Sequence, residues 1–274
     1  MEQLRAWIGS EETAHDIVTP SLVEKFRATL GLVDEPGIAP RLIHFCLCQP
    51  AAEAAALGPD GHPRRGGFLP PVPLPRRLWA GGDIEFSGDL HIGEAITRRS
   101  RVADVVVKQG RSGTLCFVTV DHAIDRADSS CAVRDRQTIV YRDAAIAQPP
   151  AAPAPAPEGA MVETMTPSPT LLFRYSALTF NAHRIHYDQP YATQVEGYPG
   201  LVVHGPLQAT LLIDLATRRG GRAPDRFTFR SLSTIFDTDT LRCHAGARDG
   251  ATMRLWTARP GGPVAMQAEA TWND

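Results

Sequence analysis

The sequence predicts an α+β protein built as two similar halves, each a helix followed by antiparallel strands. Three observations predict it: a proline-rich break near the middle, one strongly patterned helix beyond that break, and strand-like runs closing each half. The break is PPAAPAPAP at residues 149–157, five prolines in nine positions. Such Pro/Ala composition favours an extended spacer over a packed element. It separates residues 1–143 from 165–274 around a linker at 144–164. Each half can hold one small unit but is small enough to share an interface with the other.

In the first half, Ser21-Leu-Val-Glu24 has capping-box spacing, Val23, Phe26 and Leu30 form an apolar stripe, and Gly31 is a natural helix stop. A Gly/Pro-rich loop follows at residues 57–75, LGPDGHPRRGGFLPPVPLP, of a length typical of lids and binding loops. Ala103–Val107, Thr114–Asp121 and Cys131–Tyr141 read as strands. Cys46 and Cys48 would share one side of an extended segment, as small buried hydrophobes. In the second half, Gly205-Pro206 opens a helix and Leu207, Leu211 and Leu215 recur every four residues. Arg218 and Arg219 complement its negative end and Gly220 takes the left-handed position, giving a helix over 206–219. Arg226–Phe236, Leu241–Gly246, Ala251–Ala258 and Pro263–Trp272 follow as strands, the last alternating as a sheet with one buried face does. A helix wrapped by an antiparallel sheet, twice over, is a double hot-dog arrangement, although periodicity alone allows other α+β sandwiches.

Composition narrows the function. Lys+Arg 28 against Asp+Glu 30 gives a formal charge of −2 without a basic run, so no nucleic-acid partner is expected. The longest uncharged stretches, Ala144–Pro157 and Gly197–Ile213, are broken by Pro and Gly, so no membrane span is expected. Five cysteines without a CxxC pair, and an N-terminus without an apolar signal core, point to a reducing cytoplasm.

The densest run of chemically capable residues is Arg174 to Asp188, followed by Val203-His204-Gly205-Pro206. Asn181 suits a helix N-cap, and His186, five positions on, could share a pocket with it. Asp188 either caps the next turn or orients His186. His183-x-x-His186-x-Asp188 is spaced like part of a metal site but lacks a further ligand, so no metal is expected.

This stretch resembles the signature of the MaoC-like (R)-specific enoyl-CoA hydratases and dehydratases, in which a catalytic Asp is followed five residues later by His. His186 matches that His, Ile185 the apolar residue before it, and Gly205 the glycine whose N–H forms the oxyanion hole. Asn181 stands at the Asp position, and His183 and Arg184 replace the usual Asn and Pro. FNAHRIHYD, DGHPRRGGFLPPVPLP and RLWAGG from Arg77 to Gly82 resemble the two-repeat mesaconyl-CoA (3-methylfumaryl-CoA) hydratase branch. That similarity runs from Trp7-Ile8-Gly9 to the final strands.

The resemblance implies syn addition of water to an enoyl-CoA thioester, or the reverse, by a cofactor-free homodimer with one site per chain, in the second half. His186, Asn181 and Gly205 are then the catalytic residues. An amide cannot accept the water proton, so His186 is expected as the main base. Tyr175, His183, Arg184, Arg174, Arg230 and His204 are the expected substrate contacts. Arg174, Arg184 or Arg230 would pair with the carboxylate of a branched C5-dicarboxylyl group. The alternatives are a fatty-acid or polyketide 3-hydroxyacyl thioester dehydratase and an inactive acyl-CoA-binding protein.

Overall fold

The computed structural model describes the whole chain except residues 34, 111–112, 144–152 and 274, so the first part of the spacer lies outside the described residues. In the first half, strands β1 (Glu11–Ile17), β2 (Arg76–Phe86), β3 (Ala95–Gly110), β4 (Gly113–Arg126) and β5 (Cys131–Arg142) form antiparallel pairs. The second half supplies β6 (Met161–Met165), β7 (Arg226–Ser231), β8 (Leu241–Ala245), β9 (Thr252–Ala258) and β10 (Val264–Thr271). β6 lies at the end of the stretch assigned to the linker and pairs with β8.

The halves do not hold separate sheets. All ten strands join in the order β1-β3-β4-β5-β2-β7-β10-β9-β8-β6, with the seam at β2 and β7. The reason is Gly81-Gly82 in β2. A Cβ on Gly81 would lie 2.5 Å from the Phe229 carbonyl oxygen, and one on Gly82 would lie 2.5 Å from the Phe229 ring. Two residues without side chains let β7 close onto β2. Gly81→Ala is expected to pry the seam apart and cost about 1–3 kcal/mol, the range for overpacking a close contact; equilibrium unfolding against the parent chain measures it.

Helix α1 (Pro20–Leu30) begins earlier than the Ser21–Glu24 spacing implies, because Thr19 caps it by accepting from Leu22 N–H, with Pro20 in the first turn. Gly31 ends it at φ 68°. Helix α2 (Pro169–Leu178) is capped by Ser168 and packs against α1. Helix α3 (Gly205–Gly220) packs on β7, β8, β9 and β10, as expected of a central helix in a curved sheet. Its left-handed cap is Gly221 at φ 77° rather than Gly220, which stays helical beside Trp272. Cys46 and Cys48 are buried, but on and beside a 3-10 turn (Ile43–Cys46) instead of a strand.

One core unites both halves, from Val23 and Phe26 of α1 through Ile84 and Phe227 at the seam to Leu212 and Trp272. A second core lies in the first half, where Cys116, Val118 and Val120 of β4 are covered by Val72 and Leu74 of the proline-rich loop. The loop therefore fills a sheet face, and its upstream part reaches the second half. Among the described residues, no helix is long and apolar enough to cross a membrane.

Candidate active site

Three segments meet where the halves join: the turn after α2, the N-terminus of α3, and the loop at residues 57–75. Helix α2 ends in a left-handed turn at Phe180, φ 48°, with Asn181 N–H bonded to the Ser176 carbonyl. Asn181 is thus placed at the cavity wall rather than as a helix cap. Its Oδ1 accepts from His183 N–H at 3.0 Å, an Asx turn that leads into a 3-10 turn at Arg184–His186.

His186 Nδ1 donates to the Val202 carbonyl at 2.7 Å. That bond fixes the tautomer and leaves the Nε2 lone pair free to accept. Its ring stacks on His204 at 3.7 Å and 18° between planes. Burial pushes the His186 pKa down to about 4, so the ring is neutral near pH 7. His183 meets His186 edge-on at 5.4 Å, and burial with the neighbouring His62 pushes it down to about 2. Gly205 is the first residue of α3, so its N–H has no intrahelical acceptor and faces a developing negative charge favourably. The Trp79 ring would lie 3.1 Å from a Cβ at this position, so a side chain here would press on the ring.

The six expected substrate contacts separate into distinct groups. His183 and Arg230 line the cavity. Tyr175, though fully buried, also lines the cavity and faces the His204 ring; His204 is fully buried, lies outside the lining and pairs through Nε2 with Ser176 Oγ at 2.8 Å, so it supports the site from behind. Arg174 is exposed and lies outside the cavity lining. Arg184 is committed elsewhere: it pairs with Asp188 at 2.8 Å, covers the Tyr191 ring, and donates from Nη1 to the Pro59 carbonyl. Asp188 also accepts from Tyr191 N–H at 3.1 Å, so it is a cap and ion-pair partner, while His186 is oriented by Val202.

The cavity measures about 1490 Å³, above the usual 300–1000 Å³ of small-ligand pockets and large enough for an extended thioester. Two of its residues carried no role in the sequence. Arg77 lines it from β2, two positions before Trp79 and hence on the same strand face. Arg76 on the other face binds Glu196, whereas Arg77 has no ion-pair or hydrogen-bond partner among the described residues. His62 enters from the loop, with Asp60 Oδ2 against its Nδ1 at 3.1 Å. Asp60, His62 and His183 bring possible donor atoms within 4.8 Å of one another and could hold a cation, but both Asp60 oxygens already accept hydrogen bonds from His62.

The neutral histidines carry a pH signature. The unfolded chain takes up protons below about pH 6.5, whereas folded His186 and His122 are held to about 4 and His204 well below its ordinary value. The unfolded state therefore binds more protons in this window, so stability is full above pH 6.5 and declines as pH falls toward 4. Thermal unfolding is expected to show a lower midpoint at pH 5 than at pH 7; an equal midpoint would contradict neutral buried rings.

A double hot-dog that gathers a histidine, an amide and a helix N-terminus around one cleft has the parts that hydration or dehydration of a thioester needs. The Hydroxyacyl-thioester dehydratase type 2 family matches residues 42–237, and the chain belongs to this family and is a hydro-lyase. It is 42% identical over 96% of its length, and 95% of the relative's, to a mesaconyl-C(4)-CoA hydratase of Chloroflexus aurantiacus. A MaoC-like dehydratase from Phytophthora capsici shares the fold at TM-score 0.72 and 16% identity, covering 97% of this chain and 96% of that one. A double-hot-dog protein of Mycobacterium tuberculosis matches at TM-score 0.57 and 13% identity over 96% of both chains.

Proposed function

We propose that the protein adds water reversibly to the double bond of a short enoyl-CoA thioester, specifically a branched C5-dicarboxylyl-CoA such as mesaconyl-CoA. The carrying observation is Arg77: a half-buried guanidinium without a protein partner among the described residues, lining the same cavity as His186, Asn181 and Gly205. A free carboxylate on the acyl group would satisfy it, and planar bidentate pairing suits arginine. Arg77 takes the role expected of Arg174 or Arg184, which point elsewhere or are already paired. The name of the Chloroflexus relative supports the same substrate.

In this reading the His186 Nε2 and the Asn181 amide hold the water above Cβ. The thioester oxygen lies at the Gly205 N–H, where charge developing on an enolate is stabilised by the helix N-terminus. The chain acts as a cytoplasmic homodimer. Light scattering that gives the mass of one chain would overturn the dimer.

The test is a mass-spectrometric assay for gain of one water with mesaconyl-, itaconyl-, crotonyl- and a medium-chain enoyl-CoA. Selective hydration of the dicarboxylyl thioesters is expected. Preference for crotonyl or longer chains would favour the fatty-acid or polyketide dehydratase, and silence on the panel would favour an acyl-CoA-binding protein.

A further inference from the structure

We infer that His62, oriented by Asp60, is the group that carries the proton during hydration, supplied to the catalytic half by the loop of the other half. The inference rests on the hydratase reading above. Its starting point is a deficit: Asn181 has an amide that holds no proton at neutral pH, and His186 leans on a backbone carbonyl with no carboxylate behind it. Next to the catalytic turn, Asp60 makes good that deficit. Its Oδ2 accepts from His62 Nδ1 at 3.1 Å and its Oδ1 from His62 N–H at 3.1 Å, so the Nε2 lone pair is left free to accept, on a ring that lines the cavity.

The loop is fastened at this spot. Gly58 N–H bonds to the His62 carbonyl at 2.7 Å, closing a tight turn around the pair. Gly61, φ +90°, lies so close to the Asn181–His183 turn that a Cβ would overlap the Ala182 carbonyl oxygen at 1.8 Å. Arg184 N–H reaches the Asp60 carbonyl at 2.9 Å and its Nη1 the Pro59 carbonyl at 3.0 Å. The His62 ring then sits 4.2 Å from His183, which in turn meets His186 at 5.4 Å. A carboxylate that fixes a tautomer and stabilises an imidazolium is the arrangement a general base requires.

The step balances with this one base. As the water oxygen bonds to Cβ, one O–H bond breaks and its proton passes to His62 Nε2, where the Asp60 carboxylate stabilises the cation. The π pair moves through Cα onto the thioester oxygen at Gly205 N–H. When the enolate collapses, that pair takes the proton back from Nε2 at Cα and His62 is neutral again. One water is consumed, both additions occur from the side of the base, and His186 with Asn181 orients the oxygen. The charged and titratable groups facing His62 are Asp60, which raises its proton affinity, Arg65 and Arg77, which lower it, and the imidazoles of His183 and His186. Burial lowers it further, while the same contact holds the Asp60 carboxyl well below the usual carboxylate range, so it stays ionised.

The experiment compares wild type, His62→Gln, His62→Ala and Asp60→Asn on whichever enoyl-CoA the wild type hydrates best. His62→Gln is expected to lower kcat by about 10²–10⁴-fold with KM within about threefold. Added imidazole restores part of the His62→Ala turnover. Asp60→Asn removes the charge that raises the His62 proton affinity, so the acid limb of kcat moves to lower pH, a readout that simple loosening of the loop does not produce. Should the His62 variants fail to fold, the Asp60→Asn limb decides. His62→Gln within threefold of wild-type kcat, a loss confined to KM, or an unmoved Asp60→Asn limb would overturn the proposal. So would activity removed by a chelator and restored by a divalent ion at Asp60, His62 and His183. A wild type silent on every enoyl-CoA overturns the hydratase reading and, with it, this inference.

Discussion

His186→Ala is expected to lower turnover by about 10²–10⁴-fold while the chain stays folded. The loss follows from one atom. Nδ1 is spent on the Val202 carbonyl, so Nε2 alone faces the cavity as an acceptor, and alanine offers none. The structural cost is smaller: one hydrogen bond, worth about 1 kcal/mol net, and a stacked face against His204 that stays supported by Ser176 and Tyr175. His186→Gln fills more of the space and offers an amide oxygen as acceptor, so it is expected to lose less turnover than alanine, as a water-orienting role requires. Steady-state hydration and thermal unfolding of both variants check this; a fully active His186→Ala would remove the residue from the mechanism. Burial holds His186 near 4, so an acid limb well above that value belongs to another group.

The Asn181–His186 turn and α3 are legible in the sequence because their signals are local. Asn181, His186 and the Gly205-Pro206 start lie within a short span, and Leu207 and Leu215 mark a face that the structure buries. What escaped the sequence reading is what depends on distant partners. His62 and Arg77 lie more than a hundred residues before His186, on a loop without periodicity and a strand whose Gly81-Gly82 erases its alternation. β1 reads as polar because, as an edge strand, it is largely exposed. The start of α2 did carry a cap signature in Ser168-Pro169, but it sits just beyond a proline-rich run that reads as spacer. The joined sheet was not foreseeable from strand patterns either, since the approach of Phe229 to two glycines exists only across the seam.

Arg77→Gln is expected to reduce kcat/KM for a dicarboxylyl thioester by about 10²-fold and to change that for crotonyl-CoA by less than about threefold. A hydrogen-bonded charge pair contributes about 1.5–3 kcal/mol, and removing one partner leaves the substrate carboxylate to be desolvated without compensation. Arg77→Lys keeps the charge but not the two-pronged geometry, so its loss should fall between the two. Arg230 is the useful control, because it lines the same cavity from β7 but is exposed, where solvent screens its charge. Arg230→Gln is accordingly expected to cost less and to spare the discrimination between substrates. The Arg77 charge also disfavours protonation of His62 and His183, so its removal raises their proton affinity and shifts any acid limb they govern to higher pH. An Arg77 variant that loses dicarboxylyl and crotonyl turnover in equal proportion would place the guanidinium on a part shared by both thioesters, and would take away the physical basis for a dicarboxylyl substrate.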